Sequence, residues 1–193
     1  MKYPLLLASL FLFASCSSKP KGGSTTASAA SHAAALKSEY MQNVSMVSTV
    51  APSSGADASN FTWYDSEGRL VSLSDLKGKT VLINFWATWC GPCKAELPDI
   101  ESLSKAYASK GLVVVGVSED RGDGMLKHVS DFAAKHGLTY QIVIDNDDIA
   151  NAFGSINAIP TSFIVSKNGQ IVDKWIGERD KAFFESTISK FLD

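Results

Sequence analysis

Apolar residues along the chain gather into short runs divided by polar turns, and the spacing within each run predicts its element. Val81 to Trp86 is a near-continuous apolar run, as a strand covered on both faces requires, and Leu112 to Val117 is a second. Helical spacing predicts helices over about Gly91 to Ser109 and Met125 to His136. Further strands are predicted at Gln141 to Ile144, at Thr161 to Val165 after Ile159-Pro160, and at Ile171 to Ile176, with a short helical segment around Ile149 to Phe153. Lys167-Asn168-Gly169 supplies the turn of a closing hairpin. Lys181 to Leu192 then sets Phe183, Phe184, Ile188, Phe191 and Leu192 at amphipathic spacing. Upstream, Phe61-Thr62-Trp63-Tyr64, the turn Asp65 to Gly68 and Leu70 to Leu73 read as a hairpin. Strands alternating with helices and ending in a hairpin predict an α/β fold, a mixed central sheet flanked by helices, with an added N-terminal β-hairpin.

The N-terminal residues change the picture from a plain domain to a delivered one. MKYPLLLASLFLFASC has a cation at Lys2, an apolar run too short to span a bilayer, and small residues before Cys16, the layout of an export signal. Phe13-Ala14-Ser15-Cys16 resembles a bacterial lipobox, with Phe in place of the usual Leu, which implies cleavage after residue 15 and lipidation of Cys16. Acyl chains anchor a protein to a membrane surface without a spanning helix. Residues 16–59 are rich in Ser, Ala, Thr and Gly and read as a flexible linker, with AALKSEYMQNVSM as a short helix inside it. The expected organisation is a signal peptide over 1–15, a lipidated linker over 16–59 and one domain over 60–193, on the extracytoplasmic, periplasmic side of the cell envelope. At 193 residues the chain then has enough left for one core, and a net charge of −2 without like-charge runs gives no basic patch for nucleic acid. Substrate choice must come from local shape.

The stretch NFWATWCGPCKAELP, Asn84 to Pro98, carries the chemistry. Zinc would need a second ligand pair, and only Cys16 and the scattered His32, His128 and His136 remain. Haem attachment would need His after Cys93, where Lys94 stands. The approach to Cys90 lacks the Pro-x-x-x-Thr-x-x-Cys pattern of a peroxidatic cysteine. A structural disulfide closing four residues would constrain the unfolded chain little. Redox exchange fits better. A strand delivering Cys90 to the mouth of a helix sets its sulfur near unpaired N–H groups and the positive end of the dipole, which favour thiolate. Cys90 is then the attacking sulfur and Cys93, one turn on, resolves the mixed disulfide. Pro92 suits the first helical turn and Gly91 allows close approach of a substrate backbone. Trp86 reads as core, and Trp89 as a flank of the docking surface.

Trp89-Cys90-Gly91-Pro92-Cys93, Ile159-Pro160-Thr161, the FWATWC lead-in and the SLSDLKGK approach resemble the thioredoxin superfamily, and within it the TlpA/ResA-like membrane-tethered thiol-disulfide oxidoreductases. The resemblance covers about Phe61 to Asp193. It implies a thioredoxin-like fold, exchange through a Cys90–Cys93 redox disulfide with no other cofactor and no metal, and Pro160 in cis facing the cysteines. The backbone beside Ile159 and Pro160 would pair with the substrate. It also implies disulfide-bearing exported proteins as clients, apocytochrome c among them, and a membrane-embedded thiol relay as electron donor. A monomer is expected. A disulfide oxidase or isomerase, or a non-catalytic peptide-binding module, are the alternatives. One departure from cytosolic thioredoxins is Asn84, where those proteins carry a buried aspartate. On a 3.6-residue helix Glu96 falls in the arc of Leu97, Ile100, Leu103 and Tyr107, unlike Lys94, Asp99 and Lys105. Glu96 is therefore the candidate proton carrier in place of that aspartate, a role the resemblance also implies.

Overall fold

The computed structural model describes residues 43–192. Eight strands form one mixed sheet: β1 Val44–Ala51, β2 Asn60–Tyr64, β3 Leu70–Ser72, β4 Thr80–Trp86, β5 Leu112–Ser118, β6 Gln141–Ile144, β7 Thr161–Val165 and β8 Ile171–Ile176. The helices are α1 Gly91–Tyr107, α2 Met125–His136, α3 Asp148–Ala152 and α4 Lys181–Ile188. Strand order is β3-β2-β1-β6-β5-β4-β7-β8. β1, β6, β5 and β4 run parallel to one another, and β2, β7 and β8 join antiparallel to their neighbours.

Alternation along β4 decides which residues meet which layer. Leu82 and Trp86 pack with Leu97, Ile100 and Leu103 of α1, Val129 and Ala133 of α2, and Phe184 and Ile188 of α4. Val81, Ile83 and Phe85 face the other way, toward Phe61 and Trp63 of the hairpin, Ile149 of α3, Phe153 and Phe163. Phe85 lies 5.7 Å from Phe153 and 5.8 Å from Phe163, ring centre to ring centre. Period two also turns Asn84 to the α1 side. Gly116, paired with Asn84, must stay small: a Cβ there would stand 2.9 Å from Trp86 Nε1 and 3.0 Å from Tyr140 Cε2.

The hairpin β2–β3 forms as expected, with Thr62 opposite Ser72. The stretch read as linker requires a correction, because residues 44–51 are a strand inserted between β6 and β2. The tail of the MQNVSM segment is therefore strand rather than helix. Two features hid it. Ser and Thr dilute its apolar pattern, and a bulge between Val47 and Thr49 resets the alternation, so that Met46 packs on one core face and Val47 and Val50 on the other. The domain thus begins before residue 60. The predicted signal segment, Cys16 and the rest of the helix reading lie outside the described residues.

Candidate active site at the mouth of α1

Four residues separate the end of β4 at Trp86 from the start of α1 at Gly91, and the last of them, Cys90, is the N-cap of α1, with φ −80° and ψ 112°. An N-cap side chain receives an orphan N–H of the first turn, and here Cys93 N donates to Cys90 Sγ at 3.2 Å. The two sulfurs are joined in a disulfide. Cys93 is wholly buried and Cys90 is 6% exposed, so Cys90 is the sulfur a partner can reach. Pro92 occupies the first helical turn, and α1 continues unbroken past Pro98.

Across from the disulfide, Pro160 is cis and buried, and the Ile159 carbonyl oxygen lies 3.8 Å from Cys90 Sγ. Gly177 N donates to the Pro160 oxygen at 2.8 Å, which ties that segment to the end of β8. Trp89 is 67% exposed beside this pair, while Trp86 is fully buried. Cys90, Cys93, Trp89, Ile159 and Pro160 thus converge, and Gly91 has open space around its α-carbon.

Glu96 lies beneath the disulfide's helical turn, 1% exposed. Its Oε1 accepts from Asn84 Nδ2 at 2.8 Å and its Oε2 from Arg179 N at 3.2 Å, and Asn84 Nδ2 also donates to Ser162 Oγ at 2.9 Å. Burial pushes the Glu96 carboxyl up to about 7, with the two donors pulling it down and Glu178 adding to the rise. Sequence reasoning missed Ser162 and Arg179. Ser162 was visible as a polar residue inside an apolar strand, whereas Arg179 acts through its backbone, which no side-chain pattern encodes.

Residues 54–174 match the AhpC/TSA family. The thiol-disulfide oxidoreductase ResA of Bacillus anthracis is 37% identical over 137 residues, covering 70% of this chain and 77% of that protein. The thioredoxin-like protein YneN of Bacillus subtilis is 40% identical over 134 residues, covering 69% of this chain and 78% of that protein. Among solved structures, a thioredoxin-family thiol:disulfide interchange protein from Chlorobium tepidum aligns with a TM-score of 0.59 at 32% identity, over 74% of this chain and 95% of that one.

Proposed function

The chain belongs to the AhpC/TSA family and is a thioredoxin-like thiol-disulfide oxidoreductase, and from that premise we propose that it reduces disulfides in exported proteins through the Cys90–Cys93 pair. The carrying observation is the placement of one reachable and one buried sulfur at the head of α1, opposite cis Pro160. Cys90 thiolate attacks a client disulfide, which releases one client thiolate and forms a mixed disulfide. Cys93 then attacks Cys90 Sγ, and the second client thiol leaves. Backbone of the client pairs beside Ile159 and Pro160, with Trp89 flanking it and Gly91 and Pro92 giving clearance. The dithiol pair is the only redox group this cycle uses, and a membrane-embedded thiol relay restores it.

A peroxidase reading gains nothing from the family name, because Ile83 and Ala87 stand where the peroxidatic pattern has Pro and Thr. The Gly91-Pro92 dipeptide, which resembles that of reducing thioredoxins, favours the reductase direction over oxidase or isomerase. Apocytochrome c is one client of the proposed class. Purified protein should precipitate insulin by reducing it in the presence of dithiothreitol; a protein that leaves insulin disulfides intact while its own pair cycles would overturn the reductase assignment.

Cys93 has no solvent into which to lose its proton, and Glu96, one helical turn away, supports a proton-accepting role. Its folded value of about 7 exceeds the ordinary 4.5, so the fold holds that proton more tightly than the unfolded chain. Stability is therefore greatest with Glu96 protonated and falls as pH rises from about 4.5 to about 7. Glu96→Gln should remove that part of the slope in denaturant unfolding, leaving the part due to Glu119, which burial and Asp145 also push up to about 7. Turnover should drop by about 10²-fold or less, with the pH profile of Cys93 alkylation displaced. Identical slopes and profiles would exclude the role.

The lipobox-like segment supports an anchor at Cys16 in the cell envelope, with the domain on the periplasmic side. Cys16→Ser is expected to move the protein from the membrane fraction to the soluble one with purified insulin reduction unchanged. Retention in the membrane fraction would refute the anchor.

A further inference from the structure

The loop between β4 and α1 is tied to the domain by a side-chain cluster that the thiol chemistry leaves unused. Thr88, buried two residues before Cys90, donates its hydroxyl to Asp120 Oδ1 at 2.5 Å and its backbone N–H to Asp120 Oδ2 at 3.0 Å. Asp120, also buried, lies just past β5, and Ser118 Oγ donates to the same Oδ2 at 2.8 Å. From α2, His128 brings Nε2 to 2.9 Å from Thr88 Oγ1. Since the Thr88 proton goes to a carboxylate, its oxygen has only lone pairs to offer, and His128 Nε2 carries the hydrogen between them. Loop, β5 end and α2 meet at one hydroxyl.

We propose that Asp120 and His128 are positioning residues for thiol-disulfide exchange, acting through Thr88 to hold the Trp89-Cys90 loop in the reduced enzyme. In the oxidised protein the covalent link to Cys93 holds Cys90 against α1, so the cluster adds little local order. In the dithiol, Cys90 Sγ stays over the Cys93 N–H only while the loop stays in place. The cluster therefore stabilises the dithiol more than the disulfide, which raises the reduction potential. The proposal rests on the redox reading of the cysteine pair, and on no particular client.

The test equilibrates the purified full-length protein with defined mixtures of reduced and oxidised dithiothreitol and counts protein thiols. Reduction consumes one dithiothreitol, which delivers two electrons and two protons to the Cys90–Cys93 disulfide and closes to its own cyclic disulfide. Thr88→Val keeps the side-chain shape and removes the hydroxyl; Thr88→Ser restores it. His128→Leu removes the ring N–H, and His128→Gln returns an N–H near the same place. The Val and Leu variants should lower the equilibrium constant for reduction about three- to tenfold, a potential about 15 to 30 mV more negative, with the Ser and Gln variants within about twofold of wild type. A role confined to folding would lower the thermal midpoints of the oxidised and reduced proteins alike and leave the constant unchanged, which overturns the proposal. His128 is exposed, so His128→Leu carries the test should Thr88→Val fail to fold. Wild-type protein whose cysteines do not exchange with dithiothreitol would sink the redox reading itself, a separate failure.

Discussion

Cys93→Ser should accumulate mixed disulfides between Cys90 and its clients while turnover falls about 10³-fold or more, the scale expected when one member of a concerted catalytic pair is removed. Capture needs a reachable sulfur at the helix mouth, and Cys90 keeps both properties in the variant: its partial exposure and the Cys93-position N–H aimed at it. Resolution needs a second sulfur, and Ser is too weak a nucleophile to replace it. The adducts should appear as gel shifts that vanish with reductant, and mass spectrometry of the bands would name the clients. Cys90→Ser should trap nothing, because the remaining thiol at 93 is wholly buried. Adducts that form on Cys90→Ser and not on Cys93→Ser would reverse the two roles.

A chain beginning at Ala56 should lose about 3 to 5 kcal/mol of stability relative to one beginning at Asn43, comparable with truncating a large core side chain. The sequence reading placed the start of the domain at residue 60, and on that basis the shorter chain would be complete. The strand order says otherwise, since β1 lies between β6 and β2 and, among the described residues, is the strand that joins the hairpin to the parallel sheet. Without it, the hairpin loses its ladder to the parallel sheet and is left with the packing of Phe61 over Phe153 and the few bonds that residues 56–59 make to the β7–β8 turn and to Ala152. Denaturant midpoints of the two chains, with insulin reduction measured on each, check this. Superimposable unfolding curves would show that residues 44–51 are dispensable.

What was legible in the sequence followed from strong periodicity or from punctuation. The ends of α2, β6, β7 and β8 fall where apolar spacing and the Asn168-Gly169 turn put them. Glu96 was found because a helix fixes the direction of each residue, and its burial follows from sharing an arc with Leu97 and Ile100. β1 was hidden because a bulge divides its eight residues into two short runs of opposite phase. The contacts made by Thr88, Asp120 and His128 join residues 32 and 40 positions apart, and no local pattern ties a threonine in a loop to a histidine on a later helix. The roles assigned to the site residues come from chemistry applied to their placement, and the variants above are what test them.

The sheet order has one more consequence, for how copies of this domain behave when crowded. Without β1, the row of free backbone groups along β6 would offer a ready template to another chain. The extension replaces that row with β3, whose three residues leave too little ladder to pair with. The opposite margin, β8, carries Asp173 and Lys174 in succession, one charge toward each face of the sheet, which resists a flush neighbour. Both margins are thus blunted, and the domain should remain dispersed at concentrations where a sheet ending in a bare central strand would assemble edge to edge.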